Sequence, residues 1–233
     1  MTPKPRVAVV VFPGSQDDRD AQLAIETLGG EGVLVWHGEA ELPDVGAVLL
    51  PGGFSYGDYL RCGAIARFSP VMKAIARFAG EGRLVLGICN GFQILCEAGL
   101  LPGILLANES LSYICRDVTL RVEDAGTAFT SRCNEGQRLV IPVKHGEGRW
   151  FADAALLAEL EEAGQIVLRY DGDNPNGAVA NVACVRNATG NVFGLMPHPE
   201  HAVDPLLGSD DGALLLGSLL DAVRSQLSAA ASV

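Results

Sequence analysis

The run Leu84-Val85-Leu86-Gly87-Ile88-Cys89-Asn90-Gly91-Phe92-Gln93 sets a cysteine where an apolar stretch gives way to a helical pattern. Glycines two before and two after Cys89 permit a sharp strand-to-helix turn, because a Cβ at either position would crowd the tight backbone. A sulfur placed there sits over the first turn of a helix. Unpaired N–H groups and the helix dipole favour the thiolate over the thiol at that point. A buried cysteine in a strand that happens to end in glycine is the competing reading. Downstream, His198-Pro199-Glu200 spaces an imidazole and a carboxylate two apart. In extended backbone two such side chains share a face, and Pro199 disfavours helix at His198. A carboxylate beside an imidazole fixes its tautomer and stabilises its charged form; a solvated His–Glu pair in a loop is the alternative. Upstream, Pro51-Gly52-Gly53 ends another apolar run. Backbone without side chains can bring N–H groups up to a reacting carbonyl oxygen, or it can be a plain tight turn. Nucleophile, base with carboxylate, and oxyanion donors are the three parts that a cysteine amidase or acyl transferase needs.

The elements around these residues alternate. Arg6 to Phe12, Val33 to Trp36, Val45 to Leu50 and Leu84 to Ile88 read as strands. Ala21, Ala24, Ile25 and Leu28 form one helical stripe, closed by Gly29-Gly30, and Val71, Ala74, Ile75 and Phe78 form another, closed at Gly80. Near-continuous apolar strands alternating with helices imply a parallel sheet covered on both faces, a three-layer α/β sandwich. Ligands of such sheets lie at the carboxyl ends of the strands, where Pro51 and Cys89 both fall. From Ile114 the pattern changes. Val118 to Val122, Arg138 to Lys144, Ile166 to Tyr170, Val179 to Arg186 and Asn191 to Met196 read as strands joined by turns, the last two as a hairpin. This predicts an antiparallel or mixed extension of the sheet, with a helix over Asp153 to Glu162. Leu216, Leu219, Leu220, Val223 and Leu227 mark a closing amphipathic helix, with a frayed tail expected from Ala229 to Val233. No repeat, linker or domain boundary interrupts residues 1–233, which are expected to form one domain.

With 48% hydrophobic and 19% charged residues, the composition suits a globular protein with a sizeable core. A formal net charge of −11 argues against non-specific binding to nucleic acid or to an anionic membrane. No apolar run approaches the ~18 residues of a membrane span, and no export signal is evident, so a cytoplasmic setting is expected. The cysteines at 62, 89, 96, 115, 133 and 184 show no Cys-x-x-Cys pair and no zinc-like spacing. No metal site is expected, and all but Cys89 read as reduced core packing. The three lysines, at 4, 73 and 144, do not form a Gly-x-x-x-x-Gly-Lys-[Ser/Thr] loop. Nothing else reads as a nucleotide-triphosphate site, so an ATP-dependent step would need a second polypeptide.

Elbow cysteine, upstream Pro-Gly-Gly and downstream His-Pro-Glu, in this order, resemble the class I (triad) glutamine amidotransferases. The resemblance runs from Val7 to about Leu220, and the central sheet between helices agrees with that family's flavodoxin-like fold. Phe12-Pro13-Gly14-Ser15, the long segment from Pro51 to Arg61, Tyr113-Ile114-Cys115-Arg116 and His145-Gly146-Glu147-Gly148-Arg149 are similar, more narrowly, to the glutamine-hydrolysing subunits of phosphoribosylformylglycinamidine synthases of purine biosynthesis. The resemblance implies that Cys89 attacks the side-chain amide of L-glutamine and that His198, oriented by Glu200, moves the proton. It places the oxyanion between the Gly53 and Asn90 N–H groups. Gln93 would hold the α-amino or carboxylate end of glutamine, or else is an ordinary helix-capping or surface residue. It further implies a large synthetase subunit, carrying ATP and magnesium, and a small accessory subunit. Ammonia would pass to formylglycinamide ribonucleotide. His145 is expected near the site as a hydrogen-bonded structural residue, while His37 and His201 receive no assignment. Gln16-Asp17 stands where many relatives carry Asn-Cys, and nothing in the sequence places that pair in the chemistry. The rival readings are an amidotransferase subunit serving another acceptor, an elbow-cysteine redox sensor or chaperone, and a binding module without catalysis.

Overall fold

Val7 to Val10, Ala47 to Leu50 and Leu84 to Ile88 are all buried, as expected of strands covered on both faces. In the computed structural model, which describes residues 4–230, the first half is β1 (Arg6–Val11), α1 (Asp18–Thr27), β2 (Glu31–Trp36), β3 (Ala47–Leu50), α2 (Pro70–Gly80), β4 (Leu84–Ile88) and α3 (Asn90–Glu97). The second half is β5 (Ile104–Leu106), β6 (Ile114–Val122), β7 (Arg138–His145), β8 (Arg149–Phe151), α4 (Ala154–Glu162), β9 (Ile166–Tyr170), β10 (Val182–Arg186), β11 (Val192–Leu195) and α5 (Gly212–Ala230). Nine strands form one sheet in the order β2-β1-β3-β4-β11-β10-β9-β6-β7. The pairs β2–β1, β1–β3, β3–β4 and β4–β11 are parallel; β11–β10, β10–β9, β9–β6 and β6–β7 are antiparallel.

The predicted hairpin is β10–β11, and it joins the two halves: β11 runs parallel to β4, with Leu195 opposite Ile88, while β10 begins the antiparallel extension. That extension curls round until β7 meets the turn after β11, where the Pro142 carbonyl accepts from the His198 N–H at 2.8 Å. Twist accumulated across a long sheet makes such a return possible. The closing helix α5 buries Leu216, Leu219, Leu220 and Val223, each contributing about 1.5–3 kcal/mol of transfer free energy.

Several boundaries differ from expectation. β6 starts at Ile114 rather than Val118, because pairing with β7 extends back to Ile114 opposite His145. Residues 179–181 form a short 3₁₀ turn in which Ala180 is left-handed, so that strand begins at Val182. Among the described residues the three-residue strands β5 and β8 pair only with each other and are too short to show a period. Ala229 and Ala230 continue α5 instead of fraying, and residues 231–233 lie outside the described residues. Among the described residues no helix is long and apolar enough to cross a membrane.

Candidate active site

Four adjacent parallel strands, β1, β3, β4 and β11, end on the same side of the sheet, and the segments that follow them build one site. β4 ends at Ile88, and Cys89 adopts φ 50° and ψ −105°, a left-handed backbone for a residue with a side chain. Such strain persists only where the surroundings dictate it. Here the Cys89 N–H is held by the Leu195 carbonyl of β11 at 2.8 Å, and α3 begins at the next residue. Gly91 is dictated by proximity: a Cβ there would lie 2.0 Å from the Leu50 carbonyl oxygen, which is backbone and cannot rotate away. We expect Gly91→Ala to destabilise the fold by about 2–3 kcal/mol. Urea unfolding should show a lowered midpoint with an unchanged slope.

Beyond β3, Gly53 pairs with Ser15 in an isolated antiparallel bridge. The bridging bonds run through the neighbours, Gln16 N–H to Gly52 O and Phe54 N–H to Gly14 O. The N–H of Gly53 itself therefore points away from the bridge, and Gly53 lines the same cavity as Cys89. The Asn90 side chain ties the two turns together: its Oδ1 accepts from the Ser55 N–H at 3.1 Å and its Nδ2 donates to Gln93 Oε1 at 2.9 Å. This cavity, of about 160 Å³, holds Cys89, Gln93, Asp58, Glu147 and Lys144 in its wall.

His198 and Glu200 are fully buried side chains in contact, His198 Nδ1 donating to Glu200 Oε1 at 2.6 Å. They meet on a turn rather than on an extended strand, since a 3₁₀ turn begins at Pro199. The other ring nitrogen, Nε2, is buried and has no hydrogen-bond partner among the described residues. Burial alone would lower the pKa of the ring. The negative charges of Glu200 and of Cys89, which lies close enough to act on the ring, outweigh it and push the pKa up. The predicted triad thus comes together from β4 and from the turn after β11.

Gln93 is neither a cap nor a surface residue: it is buried, and its Nε2 donates to the Glu147 carbonyl at 2.6 Å. Its amide is engaged at both ends, bracing the turn between β7 and β8 across the cavity. His145 is the hydrogen-bonded structural histidine expected, its Nδ1 3.1 Å from Asn108 Oδ1. Its pKa is lowered to about 3, by burial first and by the neighbouring His198 second. All six cysteines are free, and two depart from the expected core packing. Cys115 is exposed on β6, and Cys62 lines the cavity. Burial and the carboxylates of Asp58 and Glu147 keep Cys62 a thiol.

Asp17, Lys144 and His201 also enter the site without having been assigned to it. Asp17 is 3% exposed and takes Lys144 Nζ on Oδ1, with His201 Nε2 3.4 Å from the same oxygen. The departure from Asn-Cys at Gln16-Asp17 was the only trace of this in the sequence.

A cysteine on a strand-to-helix elbow, a buried His–Glu pair beside it and a glycine turn facing both define the architecture of the glutamine amidotransferases. A family model described as CobB/CobQ-like glutamine amidotransferase domain matches residues 4–210. Phosphoribosylformylglycinamidine synthase subunit PurQ of Salinibacter ruber is 56% identical over 227 residues, 94% of this chain and 97% of that one. The subunit of the same name from Mycobacterium bovis is 56% identical over 219 residues, 94% and 97% of the two chains. In the solved structure of PurLQS from Thermotoga maritima, one chain superposes with a TM-score of 0.86 at 47% identity, covering 94% of this chain and 98% of that one. The chain belongs to the glutamine amidotransferase family and, within it, to the PurQ subunits of phosphoribosylformylglycinamidine synthase.

Proposed function

We propose that this chain is the glutamine-hydrolysing subunit of a phosphoribosylformylglycinamidine synthase, working in the cytoplasm and passing ammonia to a synthetase subunit that aminates formylglycinamide ribonucleotide. ATP and magnesium belong to that partner, and a small accessory subunit completes the complex. The observation that carries the reading is the buried His198–Glu200 pair beside an elbow cysteine, in a cavity that Gly53 also lines.

The cavity admits the side-chain amide of glutamine to Cys89, while the acidic wall of Asp58 and Glu147 suits the substrate's ammonium end. The Cys89 thiolate adds to the amide carbon, and the carbonyl electron pair moves onto oxygen. The N–H groups of Gly53 and Asn90, the latter at the start of α3, receive the developing charge. Collapse of this intermediate breaks the carbon–nitrogen bond, and His198 Nε2 supplies the proton with which ammonia departs. A water molecule, giving a proton back to His198, then cleaves the thioester to glutamate and regenerates Cys89. Glu200 holds the ring so that Nε2 faces the sulfur through both proton transfers. Gln93 keeps Glu147 at the cavity wall.

A glutamine-like diazoketone tests the assignment of the nucleophile. Short treatment followed by peptide mass spectrometry should place the adduct on Cys89, although Cys62 shares the cavity and Cys115 is more exposed. Labelling of Cys62 or Cys115 ahead of Cys89 would sink this assignment.

A further inference from the structure

Asp17 stands in the N-cap position of α1, but its side chain makes no capping bond to that helix. It turns into the site instead. Its Oδ2 lies 3.7 Å from His198 Nδ1, the nitrogen that Glu200 already holds. That separation is beyond a hydrogen bond, so Asp17 acts on the ring through charge. The approach is possible only because residue 52 is glycine, where a Cβ would fall 2.3 Å from Asp17 Oδ2 and 2.7 Å from His198 Cε1. A buried carboxylate is costly without a counter-ion, and Lys144 on β7 supplies one. The Asp17 and Glu200 carboxylates and the His198 and His201 rings bring polar atoms within 4.8 Å of one another.

We propose that Asp17 is a positioning residue for His198: with Lys144 as its counter-ion, its carboxylate is a second negative charge set against Nδ1, and the pair tunes the field in which the ring works. The proposal rests on the reading of His198 as the group that moves the proton. Every charged neighbour of the ring enters the balance. Glu200 from the turn after β11 and Cys89 from the elbow favour the charged ring, as does Asp17. Lys144, His201 and His145 oppose it when they are charged, but His145 is held neutral by burial. Asp20 lies 3.9 Å from His201, and Tyr113 interacts with Cys89, Lys144 and Asp17 across the cavity mouth. Burial alone would raise the pKa of Asp17, but His201, His198 and Lys144 outweigh it and hold the carboxyl ionised.

The signs of the two members of the pair differ, and this separates tuning from mere scaffolding. Asp17→Asn removes a negative charge, so the ring should lose its proton at lower pH, by on the order of one unit. Lys144→Met removes a positive charge while Asp17 stays ionised beside two histidines, so the ring should lose its proton at higher pH. A purely structural ion pair would give two less stable proteins with His198 unmoved. The measurement is NMR titration of the histidine ring nitrogens in the full chain, which has four histidines, with His198 assigned through His198→Gln. Opposite displacements in the two variants are expected, with Lys144→Arg returning to the parent value. No displacement, or displacement of both in the same direction, overturns the proposal. If Asp17→Asn does not fold, the upward displacement in Lys144→Met and its reversal in Lys144→Arg decide the matter. Failure of the underlying reading has a separate signature: His198→Gln would then keep glutamine-dependent turnover in the assembled complex, whatever the titrations show.

Discussion

Replacing Cys89 with alanine should abolish glutamine-dependent product formation by the assembled synthase, while added ammonium salt restores it. The expected loss is large, a factor of about 10⁴ or more in turnover, because a missing nucleophile leaves only oriented binding and oxyanion donors. Rescue is expected because ammonia is the sole product that this subunit hands on, and amination takes place on another polypeptide. The substitution removes one sulfur from a residue whose backbone, not its side chain, shapes the elbow. The Cys89 N–H to Leu195 bond and the start of α3 survive it. Co-purification of the mutant with its partners checks that assembly is intact, and the rescue is measured at a pH where enough ammonia is unprotonated. Failure of ammonium to rescue an intact mutant complex would show that this subunit takes part in the synthetase step, and the proposed division of labour would be wrong.

Glu200→Gln should lower turnover by a factor of about 10² to 10⁴ with little change in the Michaelis constant for glutamine. The substitution keeps size and shape at a side chain that is fully buried and 2.6 Å from His198 Nδ1. What it changes is the hydrogen bond. A carboxylate can only accept, and so fixes the proton on Nδ1; an amide can present N–H there and stabilise the wrong tautomer. It also withdraws a negative charge that supports the ring when protonated, a charge felt most in the steps where the proton is on His198. Glutamine does not touch Glu200 in the proposed geometry, so ground-state binding is spared. Asp17, 3.7 Å from the same nitrogen, leaves part of the field in place, and a loss near the lower bound is therefore the sharper expectation. Steady-state kinetics of the complex read both constants. A large rise in the Michaelis constant at unchanged turnover would assign Glu200 to substrate binding instead.

The elbow at Cys89 was readable from ten residues because its cause is local: two glycines, one cysteine, and the change from an apolar run to a helical stripe. The parallel half of the fold was readable for a similar reason, since strands buried on both faces are continuous in sequence, as Val7 to Val10 and Ala47 to Leu50 are. His198 and Glu200 were readable as a pair two residues apart, but their conformation was not. Pro199 keeps His198 out of helix but can itself open either extended backbone or a 3₁₀ turn, and the bond from the His198 N–H to Pro142 is part of the frame that holds the turn. Asp17 and Lys144, 127 residues apart, gave no signal at all in spacing or period. Their contact exists because β11 inserts between β4 and β10, and the antiparallel strands that follow in the sheet curl until β7 meets the turn after β11, bringing Lys144 to the segment between β1 and α1. Cys62 and Gln93 belong to the same class, one read as core packing and the other left between substrate and surface, both in the cavity wall. Sequence spacing fixes what neighbours on one chain segment can do. Which distant charges share a low-dielectric pocket is set by strand order and sheet curvature, and only the folded chain decides it.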